Sequence, residues 1–248
     1  MVEFSDRDLS ESRFRQVDLS RSRFANVDLS GALIRGVYAD SLELDGAFGE
    51  LLVNGVDVVP LVEAELDRRD PDRVLLRPAD ADGFRRAWPM IERRWADTVD
   101  RARRLPPELL HERVDEEYSF IETLRHLVFA TDAWVRRAVL GDPAPYDPLG
   151  LPHDEMDDRP GVPRDRAARP TLEEMLALRA DRMATVRQVL ADLTDERLAG
   201  ATTPVLEPGY PDSESFPVRR CLQAILVEEY EHRSFAERDL AVLERRVA

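Results

Sequence analysis

The sequence predicts a mainly helical protein, a four-helix bundle preceded by a short solenoid of five-residue repeats. Three observations carry this. Over residues 2 to 46 an apolar residue recurs every five positions. From residue 80 onward four long stretches place apolar residues at helical spacing. Two long loops separate them, and four helices in about 170 residues give a bundle with at least one long crossover.

The repeat comes first. Phe4, Leu9, Phe14, Leu19, Phe24, Leu29 and Ile34 follow one another at intervals of five. Small or β-branched residues (Ser12, Val17, Ser22, Val27, Ala32, Val37) sit two positions before most of the apolar positions. Neither helix nor strand has this period, so it implies stacked short units. The stretch "VDLSRSRFANVDLSGALI" resembles the pentapeptide-repeat family. That resemblance implies a right-handed quadrilateral β-helix with the central Leu or Phe pointing inward, so that Phe14, Leu19, Phe24 and Leu29 share one interior. Ala39 and Leu44 extend the period weakly, giving little more than two coils. Arg7 stands where the family has a small inward residue. Asp8, Arg13, Asp18, Arg23 and Asp28 alternate in charge and read as a solvated surface.

The repeat segment is assigned to residues 1–52, a linker to 53–78 and the bundle to 79–248. Within the linker, "PLVEAELDRRDP" reads as a short helix closed by Pro71. The first bundle helix places Phe84, Trp88, Ile91, Trp95 and Val99 on one face, with Pro89 inside its early turns. The second, "YSFIETLRHLVFATDAWVRRAVLG", ends at Gly141. Residues 142 to 170 form a loop rich in Pro and Asp, of a length that is usually functional or disordered. Thr171 and Glu174 have capping-box spacing and open the third helix. A second loop follows from Gly200, and the last helix runs over 217–246.

Composition narrows the function classes. The chain is 43% hydrophobic and 34% charged, enough to bury a core and remain soluble. A formal net charge of −15 argues against nucleic acid and anionic membrane as partners. All the basic residues are Arg, which points to a GC-rich genome and removes any lysine nucleophile. The single cysteine, Cys221, cannot form an internal disulfide and reads as a packed small hydrophobe. No apolar run is long enough to span a bilayer and the N-terminus lacks a signal-peptide pattern, so the expected location is cytoplasmic.

Chemistry centres on two helices. His126 lies mid-way along the second, flanked by Leu124, Leu127 and Val128. On the last helix, in "CLQAILVEEYEHRSFAERDL", Glu228 and His232 are four residues apart and leave the same face. Read alone, His126 is a core histidine and the Glu228–His232 pair a solvated stripe. Read together, they offer three ligands to one bundle-core ion. "EYEH" also carries the Glu-x-x-His spacing of di-iron bundles, but residue 123 is Thr where a second Glu would be needed. Glu122 is assigned as a supporting acceptor for His126. His153, in the long loop, is either a lid or acid/base residue or an ordinary surface histidine. Trp88 and Trp134 are assigned to packing.

Residues 75 to 245 resemble the DinB/YfiT-like superfamily, on "TLRHLVFATDAW" and "EEYEHRSF". The resemblance implies a four-helix bundle with one divalent metal, here held by His126, Glu228 and His232, Glu228 replacing a histidine of the family pattern. Zn²⁺ is the first candidate, with Ni²⁺, Mn²⁺ and Fe²⁺ as alternatives. It further implies a transferase, a low-molecular-weight-thiol S-transferase or thiol-assisted isomerase, with a mycothiol-like thiol and a small electrophile as partners and a homodimer allowed. Alternatives are a metal-dependent hydrolase of a small molecule, or a non-enzymatic scaffold that assembles through the β-helix. No catalytic side chain is singled out.

Overall fold

A computed structural model describes residues 3–5, 7–24, 27–154 and 156–247. Contacts divide the chain into two units, Met1–Val59 and Pro60–Ala248.

In the first unit the five-residue period is a period of backbone conformation. Glu11, Gln16, Arg21, Gly31 and Gly36 all have positive φ, between 55° and 73°. Every tenth residue closes a hydrogen-bonded turn: Ser12 N donates to Leu9 O, Ser22 N to Leu19 O and Ala32 N to Leu29 O, at 2.9–3.2 Å. Before each turn an aspartate accepts a backbone amide two residues on, Asp8 from Ser10, Asp18 from Ser20 and Asp28 from Ser30. These aspartates therefore hold turns, a role beyond the solvated surface expected of them.

The apolar side chains are not enclosed in one interior. Phe14 is 61% exposed and Leu19 46%. Length supplies the reason: a solenoid buries a ring of side chains between the rings above and below, and little more than two coils provide almost none. The unit ends in a hairpin, β1 (Leu52–Val53) and β2 (Val56–Asp57), pairing Leu52 with Asp57 and Val53 with Val56. Its turn is Asn54-Gly55, both with positive φ, as a tight two-residue hairpin turn requires.

Helix α1 (Val59–Arg69) starts on the last residue of the first unit and otherwise belongs to the second, where a 3₁₀ turn, Pro71–Leu76, follows it. The bundle consists of α2 (Ala81–Ala102), α3 (Phe120–Thr131), α4 (Leu172–Ala191) and α6 (Val218–Val247), with a one-turn α5 (Asp195–Ala199) between the last two. Going around the bundle the order is α2, α6, α3, α4. Thus α3 and α6, far apart in sequence, are packing neighbours.

Helix starts follow local chemistry. Asp80 caps α2 by accepting Gly83 N, and Thr171 with Glu174 forms the expected capping box on α4. Pro89 lies on the exposed face of α2, which runs through it unbroken. The second long helix differs from expectation: after Thr131 it widens into a π-helix over Asp132–Val139. Within that stretch the buried Asp132 carboxylate accepts Arg182 of α4 at 2.9 and 3.1 Å and the amide of Asp147 at 3.1 Å. Phe84, Trp88 and Ile91 of α2 meet Leu124, Leu222 and Leu240 in the core, each worth roughly 1.5–3 kcal/mol on full burial. Among the described residues no helix is long and apolar enough to cross a membrane.

Candidate metal centre

Every residue of α3 is buried, including Glu122, Arg125 and His126. Polar groups in such a place need partners, and each finds a different one. Glu122 is the third residue of the helix. It completes a capping box with Ser119 and takes a bidentate pair from Arg113 at 2.9 Å. Arg125 donates to three backbone carbonyls of the following loop, Leu149, Asp165 and Ala168, and among the described residues it has no ion pair with a carboxylate. His126 Nδ1 lies 3.0 Å from the carbonyl of Leu151, and Nε2 lies 3.3 Å from Glu228 Oε2 on α6. A carbonyl can only accept, so Nδ1 carries the proton.

Glu228 is approached from its own helix as well. His232 Nε2 lies 3.1 Å from the same Oε2, one turn away. The two imidazole rings are 4.6 Å apart between centroids. One ligand atom each from His126, Glu228 and His232 all lie within 4.8 Å of one another. A tetrahedral ion with ligand distances of roughly 2.0–2.2 Å holds its ligands roughly 3.3–3.6 Å apart, close to the 3.1 and 3.3 Å seen here. The donor set, two imidazole nitrogens and a carboxylate oxygen, therefore fits a divalent ion in kind and in the two separations from Glu228. The His126 side chain is 7% exposed, His232 20% and Glu228 30%, so the cluster is seated on α3 and opens to solvent along α6. Burial pushes the Glu228 carboxyl up, but hydrogen bonds and charge from both histidines outweigh that and hold it well below the usual carboxylate range.

The sequence places these three residues in a matching domain model. The DinB superfamily model matches residues 90–236, and eight pentapeptide repeats match residues 2–37. The chain belongs to the DinB superfamily. No curated protein and no solved structure matches it.

As a DinB-type bundle the protein shows which sequence-derived assignments converge. Glu122 does not. It lies at the N-terminal end of α3, committed to Ser119 and Arg113, and the acceptor that orients His126 is the Leu151 carbonyl instead. Arg233, adjacent to His232, donates to the Arg94 carbonyl of α2 at 3.0 Å and so braces two helices. Cys221 is fully buried and desolvation pushes its thiol up to about 11. His153 is joined to His126 through two rings: it meets Tyr210 at 5.8 Å, Tyr210 stacks on Phe129 at 5.9 Å, and Phe129 lies 6.3 Å from His126.

Several neighbours carried no sequence signal. Tyr118 lies 5.6 Å from the His126 ring and donates to Pro152 O. Tyr210 is fixed through its backbone, which exchanges two hydrogen bonds with the Tyr146 hydroxyl at 2.6 and 2.8 Å. Burial and then the charge of Glu228 raise its phenol above the ordinary value. The loop bearing Tyr210 is pinned by Arg137, buried in the π-helical stretch that continues α3, which donates to the carbonyls of Val205, Glu207 and Pro211. Two buried arginines of one helix thus each hold one of the two long loops by its backbone.

Proposed function

We propose that the protein is a metal-dependent enzyme in which His126, Glu228 and His232 hold one divalent ion, Zn²⁺ first among candidates. The observation that supports this best is the convergence of three donors on one point, with His126 Nδ1 engaged by a carbonyl and Nε2 left toward the other two. A bound divalent ion would supply Lewis acidity able to ionise a thiol or water at neutral pH. Glu228 adds negative charge to the set, favouring a hard cation and moderating its acidity relative to three neutral histidines. α3 excludes solvent behind His126, while the partly exposed Glu228 and His232 leave the α6 side of the cluster open to solvent.

The reaction we favour is transfer or isomerisation assisted by a low-molecular-weight thiol, acting on a small electrophile. The DinB resemblance and the buried, high-pKa Cys221 support it, because the chain's own sulfur is not available as a nucleophile. The test has two stages. Protein purified without chelator and resupplied with Zn²⁺, Ni²⁺, Mn²⁺ or Fe²⁺ should take up one ion per chain. The loaded protein should then consume an electrophile such as a haloarene or maleyl ester only with thiol present. Turnover without thiol would place the protein among hydrolases, and uptake of none of the four ions would overturn the metal reading.

A further inference from the structure

We propose that Arg125 is a positioning residue for the metal centre, acting through the backbone of the loop that follows α3 rather than by touching the site. The proposal rests on the metal reading above. Arg125 and His126 are adjacent, yet they hold the same loop from two sides. The Arg125 guanidinium gathers the carbonyls of Leu149 at 2.8 Å, Asp165 at 2.5 Å and Ala168 at 3.3 Å. Its own backbone carbonyl accepts the amide of Leu151 at 3.2 Å. Leu151 then presents its carbonyl to His126 Nδ1 at 3.0 Å.

The Leu151 peptide therefore sits between both residues, its amide tied to the Arg125 backbone and its carbonyl to the imidazole. Burying a guanidinium whose hydrogen bonds go to neutral carbonyls is costly: desolvation outweighs the charges of Asp165 and Glu122 and lowers its pKa. Its three bonds span the loop from Leu149 to Ala168 and close the segment onto α3 at the point where His126 needs an acceptor. A ligating histidine needs that acceptor to fix its tautomer and ring plane, and losing such a partner typically costs 10–100-fold in metal affinity.

Loop docking and ion binding are then linked through one hydrogen bond, and linkage is reciprocal. The ion should tighten the loop, and loosening the loop should weaken the ion. The experiment uses the full chain and Zn²⁺. Arg125→Met should bind Zn²⁺ about 10–100-fold more weakly in chelator competition. The His126 side-chain ¹⁵N signals of the metal-free variant should change from one fixed tautomer to a mixture, and Arg125→Lys should restore part of both. In the wild type, Zn²⁺ should slow hydrogen exchange at the Leu151 amide.

If Arg125→Met folds, binds Zn²⁺ as tightly as wild type and keeps the tautomer, the proposal is overturned. If that variant does not fold, the wild-type exchange measurement decides: slowing at Leu151 on adding Zn²⁺ supports the link, and no change overturns it. A wild type that binds none of the four ions removes the metal reading itself, and the proposal with it. Intact Zn²⁺ binding with an unlinked loop removes the proposal alone.

Discussion

Glu228 and Glu229 are neighbours in the chain and should respond oppositely to the same substitution. One residue along a helix turns a side chain by about 100°, and here that separates a solvent-facing ligand cluster from the bundle core. Glu229 is 1% exposed and meets Arg179 of α4 through both oxygens, at 2.6 and 2.7 Å. The Arg179 guanidinium also lies over the Trp95 ring at 5.2 Å, and Trp95 Nε1 donates to the Glu229 carbonyl. Glu229→Gln replaces one acceptor oxygen by a donor facing a donor and leaves a buried cation uncompensated. Breaking a buried pair in this way costs about 3–5 kcal/mol, or a fall in Tm of about 6–20 °C for a unit of this size. Glu228→Gln, at a partly hydrated site, should change metal-free stability by less than about 1 kcal/mol, while abolishing stoichiometric ion uptake. Urea unfolding of both variants, followed by the circular dichroism of the helices, reads the first quantity, and metal analysis of the folded proteins reads the second. The double variant Arg179→Met/Glu229→Leu should recover most of the stability, since it removes both charges together. A loss below about 1 kcal/mol for Glu229→Gln, or a loss of ion uptake in that variant with Glu228 intact, would refute the division of roles.

His232→Ala should remove most of the bound ion and leave the bundle folded, checked by metal content and circular dichroism, because its side chain packs at the solvent-facing edge of the cluster. Glu122→Ala should cost about 0.5–2 kcal/mol in unfolding, as loss of a helix cap does, with Zn²⁺ affinity unchanged. Cys221 should react with a disulfide reagent only as the protein unfolds. Its folded pKa is raised to about 11, so the thiol favours the fold below its unfolded pKa of roughly 8.5, and that contribution declines as pH rises from there toward 11. The depressed Glu228 carboxyl has the opposite sign. Its contribution is present above the ordinary carboxylate pKa and lost as pH falls through the lower folded value, so metal-free wild type should lose more stability than Glu228→Gln in acid titration followed by unfolding.

The bundle was legible because its signals are local. Helical spacing located α2, α3, α4 and α6 to within a few residues, and Thr171 with Glu174 marked the start of α4 before any contact was known. The π-helical widening after Thr131 was not legible, since "DAWVRRAV" has the composition of any amphipathic helix and what distinguishes it is the tertiary pairing of Asp132 with Arg182. The period of five is legible from spacing, and so is the turn chemistry within it: "DLS" returns every ten residues, and each aspartate accepts the serine amide that follows. The assignment of an enclosed interior failed on length, a quantity that was also in view.

At the candidate metal centre, spacing alone puts Glu228 and His232 on one face, and only the family resemblance joins His126 to them. The packing of α3 against α6 then supplied what spacing could not. Glu122 illustrates the limit of reasoning from side-chain spacing. It stands four residues before His126, the separation that does bring Glu228 to His232, but its position as third residue of its helix makes it a capping group, and "SFIE" carried that signature openly. The acceptor that His126 does use is a backbone carbonyl, and a carbonyl is present at every residue, so no sequence pattern can single out Leu151. What singles it out is the loop's path, and that path is held by the Arg125 guanidinium, which donates to the carbonyls of Leu149, Asp165 and Ala168, as Arg137 holds the second loop. A buried helical arginine whose hydrogen bonds go to backbone carbonyls is therefore the side-chain end of an arrangement that no spacing pattern shows. In this fold it marks where a long loop is tied down, and the tie at Arg125 is one residue from a proposed ligand.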